Sequence, residues 1–140
     1  MPTTNRSTAG PEILHFLENE IEQIRMFTFD KQDSNPEVLQ AFLTAQNVPA
    51  PTPLPTSVEG LDSIGCVMLD YQGTKLSVIC FKGESVYHVV TADKEGFPME
   101  VSETAQVIQL PNFAFRFWSE GNQVRMIAVQ GSEQDLPTLI

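Results

Sequence analysis

Apolar and polar positions along this chain change rhythm partway through: helical spacing governs the first third, and from residue 65 onward apolar runs alternate with tight-turn signals. Residues 65 to 92, GCVMLDYQGTKLSVICFKGESVYHVVTA, read as three strands turning at Gln72-Gly73 and Gly83-Glu84, where glycine suits a backbone with positive φ. Val67, Leu69, Val78 and Val89 alternate with Met68, Leu76, Val86 and Val90, so both faces of the strands are apolar. An antiparallel sheet with one wet face alternates apolar with polar, and this pattern predicts that something covers each side. Further on, FAFRFWSEGNQVRMIAVQ predicts another hairpin, turning at Glu120-Gly121-Asn122. Its two registers both place Phe113, Phe115 and Phe117 with Val124, Met126 and Ala128 on one face, and Arg116, Trp118 and Arg125 on the other. Between the hairpins, residues 93 to 111 are polar and irregular, with VSETAQVIQL offering a short strand or helix.

Before the sheet, residues 1 to 10 are small and polar and predict a flexible lead-in. From Pro11, the set Ile13, Leu14, Leu17, Ile21, Ile24 and Thr28 recurs every three or four residues, predicting an amphipathic helix of about five turns. Glu12, Glu18, Glu20 and Glu22 lie off that stripe and read as a solvated face. Ser34-Asn35-Pro36-Glu37 has the form of a capping box opening a second helix, with Val38, Leu39, Phe42 and Leu43 as its stripe and Asn47 at its end. Four alternating prolines in VPAPTPLPT, residues 48 to 56, hold the chain extended as a strap; a proline-rich ligand role lacks its basic anchor. The expected fold is therefore one α+β domain over residues 11–140. It comprises two N-terminal helices (11–47), the strap (48–56) and an antiparallel sheet of about five strands (64–131), with both helices on one side of the sheet and a second copy or a protein partner on the other.

Composition narrows the function classes. The chain has 140 residues, 41% hydrophobic, with nine Phe, enough for one core. Its net charge of −10 opposes polyphosphate partners, since the eight Lys and Arg are scattered, so no nucleic-acid binding is expected. No apolar run approaches the roughly 18 to 20 residues of a membrane span, and the amino terminus lacks the signature of a signal peptide. No GxGxxG, GxxxxGK[ST], GxSxG or HExxH occurs, so no cofactor, metal or catalytic set is expected. The acidic pairs Asp93 with Glu95 and Glu100 with Glu103 sit in a polar stretch with nothing to desolvate them.

Two residue groups are candidate sites. Arg116, Trp118 and Arg125 share a hairpin face that could anchor a protein partner or an anionic or aromatic ligand, or hold a cation–π contact within the chain. The second candidate is Cys66, Cys80 and His88, in a pocket between helix and sheet with Tyr71, Ser77 and Tyr87. A two-residue turn in each hairpin sets Cys66 on the face of Ile79 and His88 with Cys80 on the opposite face, and leaves Cys66 about 10 Å from His88. That is too far for a nucleophile pair, which needs about 3 Å. Buried apolar thiols, a Cys66–Cys80 disulfide formed by a three-residue first turn, and a reactive thiol all stay open. His88, within VYHVV, reads as a packed strand histidine. His15 has no obvious partner.

A family resemblance adds a setting. PEVLQAFLTAQNVPAPTPLP, GCVMLDYQGTKLSVICF, YHVVTAD and FWSEGNQVRMIAV together resemble the soluble carboxy-terminal domain of uncharacterised single-span bacterial membrane proteins described as anti-sigma-factor-like. The likeness spans about residues 29 to 130 and rests most on G-C-x-x-x-D-[YW]-x-G and S-[LV]-I-C-F. It implies a non-enzymatic regulatory or sensory protein-interaction domain, lying on the extracytoplasmic side of the inner membrane beyond an anchor this chain lacks. If Met1 is a native start, a cytoplasmic protein is expected instead. The alternative class is a small-molecule binder or small enzyme using the pocket between helices and sheet.

Overall fold

The structure, a computed structural model, describes residues 11–137; the lead-in expected over 1–10 lies outside the described residues. Seven strands form one antiparallel sheet, where about five were expected. They are β1 (Lys31–Gln32), β2 (Asp62–Tyr71), β3 (Thr74–Lys82), β4 (Val86–Asp93), β5 (Gln106–Gln109), β6 (Phe113–Glu120) and β7 (Gln123–Gln130), in the spatial order β1-β2-β3-β4-β7-β6-β5. The two additional strands are the short edges. β1 is two exposed polar residues, held on β2 by Asp30, whose amide donates to Cys66 O (2.8 Å) and whose carboxylate accepts from Met68 N (2.7 Å).

Turn chemistry fixes the registers. Gln72 and Gly73 both have positive φ (53° and 93°), the two-residue turn that matches strand twist, and set Tyr71 opposite Thr74. Gly121-Asn122, with positive φ at Gly121 alone (60°), is likewise a two-residue turn and sets Glu120 opposite Gln123. The middle hairpin differs. Lys82 pairs with Val86, so the loop is the three residues Gly83, Glu84 and Ser85.

Helix α1 (Glu12–Glu22) makes three turns rather than five. It stops because the Arg25 guanidinium takes the carbonyls of Glu22 and Ile24 (both 2.8 Å), and the Thr28 hydroxyl closes a tight turn over Met26–Thr28 by accepting from Arg25 N. The chain then runs extended at Phe29, whose ring lies so close over Gly65 that a Cβ there would meet it at 2.6 Å. Helix α2 (Pro36–Ala45) is capped by Asn35, whose side chain accepts from Glu37 N at 3.0 Å. Ser34, the expected cap, instead gives its carbonyl to Ser63 N.

The helices lie on opposite sides of the sheet, a second departure from expectation. α1 buries Ile13, Leu14, Leu17 and Ile21 on Val78, Val90, Phe115 and Met126. α2 and the strap cover the other face, packing Leu39, Leu43, Val48 and Ala50 on Ile79, Phe81, Val89 and Ile127. Prolines leave the strap few amides, and its carbonyls are taken from the sheet and α2. Ser77 donates to Pro49 O, Gln123 to Ala50 O, Gln40 to Pro51 O, and Arg125 to both Thr52 O and Pro53 O. The face for which a second copy or partner was expected is thus covered by the chain itself.

Candidate functional site

One residue added to the middle hairpin decides the chemistry of the α1 face. With Gly83, Glu84 and Ser85 in the loop, His88 stands opposite Cys80 and Ala128, not opposite Ile79. The Cys80 Sγ lies 3.1 Å from His88 Nδ1, and both residues are buried. Cys66 pairs with Ile79 on the α2 face and Cys80 lies on the opposite face, so of the sequence assignments only that of His88 is reversed, and the two thiols are free and back to back. Burial pushes the Cys80 thiol up to about 12, with Cys66 adding to it, and holds the His88 imidazole down to about 4. Cys66 is raised to about 11, by burial and then by Asp30. At neutral pH the pair is a protonated thiol against a neutral ring. Burial thus holds Cys80 as the thiol, the reverse of the cationic setting that activates a nucleophile.

Cys80 and His88 line a cleft of about 720 Å³, within the size range of small-molecule sites. Its walls come from the end of α1 (Ile21, Ile24), the turn that follows (Met26, Phe29), Ile64 of β2 and Phe113 of β6. The Phe113 ring meets the imidazole edge-on, centroids 6.0 Å apart. Glu22, Arg25 and Gln130 are the polar groups of the rim, with Arg25 already engaged by the helix-end carbonyls. Beside the opening, Met26 is 61% and Phe27 82% exposed. His88 Nε2 has no hydrogen-bond partner among the described residues. The arrangement is a cleft of mixed lining, apolar along Ile21, Phe29, Ile64 and Phe113 and polar at the rim, with the His88 imidazole among its walls.

The other expected pocket groups do not converge there. Tyr87 packs on the α2 face, Ser77 holds the strap, and Tyr71 sits by Glu12 at 3.5 Å. Arg116, Trp118 and Arg125 do share one face, but that face lies under the strap and the C-terminal segment. Arg125 is 4% exposed and binds strap carbonyls, Trp118 is buried with its indole N–H donating to Glu120 (3.2 Å), and Arg116 donates to Pro137 O. It is an internal clamp, closed to a partner.

Glu18 is the polar residue that spacing misassigned. It is buried, and its carboxylate accepts from Asn112 N (2.8 Å) and Phe113 N (3.0 Å), tying α1 to the start of β6. A glutamate one residue from Leu17 on the stripe was the available signal. The carboxylates of Asp93, Glu95, Glu100 and Glu103 are exposed. Among the described residues no His, Cys, Asp and Glu cluster could hold a metal, and no helix is long and apolar enough to cross a membrane. Comparison of the chain with family models, with curated proteins and with solved structures finds no match.

Proposed function

We propose that this chain is a non-enzymatic binding module of a sensory or regulatory protein, and that its ligand is a small, largely apolar molecule held in the cleft between α1 and the sheet. The observation that carries this is the cleft itself: a cavity of ligand size in which Ile21, Phe29, Ile64 and Phe113 surround a neutral histidine whose outer nitrogen has no hydrogen-bond partner among the described residues. Against catalysis stand the protonated thiol and the lack, among the described residues, of a third group orienting the imidazole. The resemblance to anti-sigma-factor-like proteins supplies the regulatory setting and, with it, the extracytoplasmic side of a membrane. In this reading the exposed Met26 and Phe27 are where a protein partner senses whether the cleft is filled.

The test is a melting-temperature screen of small apolar compounds on the native protein and on Met26→Glu, which sets a charge at the mouth without disturbing buried packing. A ligand at 100 times its Kd stabilises by about 2.7 kcal/mol, a shift of several degrees. Loss of that shift in Met26→Glu is expected; an equal shift in both proteins places the ligand elsewhere and refutes the reading.

A further inference from the structure

We infer that the cleft selects an uncharged carbonyl oxygen carried on an apolar body, bound by His88 Nε2–H, and that Cys80 is the positioning residue that fixes the ring in the tautomer able to donate. This rests on the cleft being a binding site, and goes beyond it by naming what the floor recognises.

Geometry sets the tautomer. At 3.1 Å the thiol and Nδ1 share one hydrogen, and two arrangements are possible. In one the thiol donates to Nδ1; in the other Nδ1–H donates to sulfur. Imidazole nitrogen is a good acceptor and sulfur a weak one, and a buried thiol keeps its proton, so the first arrangement prevails. The ring's single remaining proton then sits on Nε2, directed at whatever occupies the cleft.

Charge sets the ligand class. A carboxylate on this floor would be desolvated beside a neutral imidazole, and the one cation among the described lining residues, Arg25, is held at the rim by Glu22 O and Ile24 O with the Glu22 carboxylate beside it. The chain's net charge of −10 opposes an anion further. An ammonium would set donor against donor. A hydrocarbon of the same shape would leave Nε2–H unpaired once water is displaced. A ketone, ester or amide carbonyl satisfies the donor without bringing a charge.

The test begins with the unliganded protein. A long-range proton–nitrogen spectrum of the labelled wild type at pH 7 should show His88 protonated at Nε2 alone; a ring protonated at Nδ1 overturns the inference. Cys80→Ser, which keeps a donor, should preserve that signature, and Cys80→Ala should mix the tautomers; an unmixed Nε2–H ring in Cys80→Ala removes the role given to Cys80. The His88 signals are then followed with four matched probes: 4-phenyl-2-butanone, 3-phenylpropanoate, butylbenzene and 4-phenylbutan-2-amine. The ketone should bind about 10- to 100-fold more tightly than the others in the wild type, with that preference reduced in Cys80→Ala. Equal binding of all four refutes carbonyl selection while leaving the cleft a binding site. Failure of every probe to move cleft signals, while Met26→Glu leaves all ligand-induced melting shifts intact, refutes both.

Discussion

Acidification should cost this protein stability through His88, and the amount follows from its burial. The imidazole titrates near 6.5 when exposed and is held down to about 4 in the fold, because desolvation penalises the charged ring. Between those values the unfolded chain binds a proton that the folded chain refuses, so stability falls as pH drops through 6.5 and the loss is complete below about 4. The linkage amounts to about 2 kcal/mol at pH 5 and about 3 kcal/mol in full, from 1.36 kcal/mol per pKa unit. Against a typical domain stability of about 5–15 kcal/mol this is large. Urea unfolding followed by fluorescence of the single, buried Trp118 at pH 7, 6 and 5 measures it, with His88→Gln as the non-titrating reference. Glu22 at the rim and the other carboxylates contribute equally to both proteins and cancel in the difference. Stability of the wild type relative to His88→Gln should decline by about 2 kcal/mol from pH 7 to pH 5. A flat difference, or one that grows on acidification, would refute the claim that the ring is buried neutral against the Cys80 thiol.

Arg125→Ala should destabilise by about 2–4 kcal/mol in urea unfolding, since it frees two strap carbonyls and removes the packed guanidinium, with Arg125→Lys restoring less than half because an ammonium lacks the fork; a loss under 0.5 kcal/mol would show that the strap is held by apolar packing alone. Glu18→Ala should cost about 1–3 kcal/mol by leaving the buried Phe113 amide without its acceptor, and an unchanged urea midpoint would contradict that cap. A thiol reagent should count two free thiols in the unfolded, non-reduced chain and label the native one far more slowly; one missing pair of thiols would mean a bridge that the opposed faces of Cys66 and Cys80 forbid. Light scattering should return the mass of a single 15.6 kDa chain, as both sheet faces are already covered, and a dimer would mean that a further apolar surface is at work.

What the residue pattern made legible was whatever depends on parity and turn glycines. The five longer strands, the pairing of Tyr71 with Thr74, and the common face of Arg116, Trp118 and Arg125 all follow from period-two alternation closed by two-residue turns. β1 escaped notice because an edge strand of two exposed polar residues carries no alternation to read, and β5, four mostly exposed residues within VSETAQVIQL, read equally as a short strand or a helix. Equally hidden was which side each helix covers. A stripe such as Leu39 and Leu43 says that a face is buried, while the choice of face is made by the strap's carbonyls reaching Ser77, Gln123 and Arg125.

The site was lost to a one-residue difference that hydrophobic patterning could not resolve. In VYHVV both faces are apolar, so sliding β4 by one residue against β3 exchanges one greasy face for another and leaves no mark on the alternation. Two contacts off the strand ladder settle it. The Tyr87 ring lies over Gly83 so closely that a Cβ there would meet it at 2.6 Å, and Gly83 N donates to Ser85 O, closing a loop of three residues. In the alternative register His88 would face α2 and the strap beside Ile79, with Leu39, Leu43 and Phe81 for neighbours and its ring nitrogens unpaired. In the observed register it meets the Cys80 thiol on the α1 face of β3 and lines the cleft. A buried imidazole without a partner costs more than a Gly-containing loop lengthened by one residue, so the histidine helps choose the register that places it at the site.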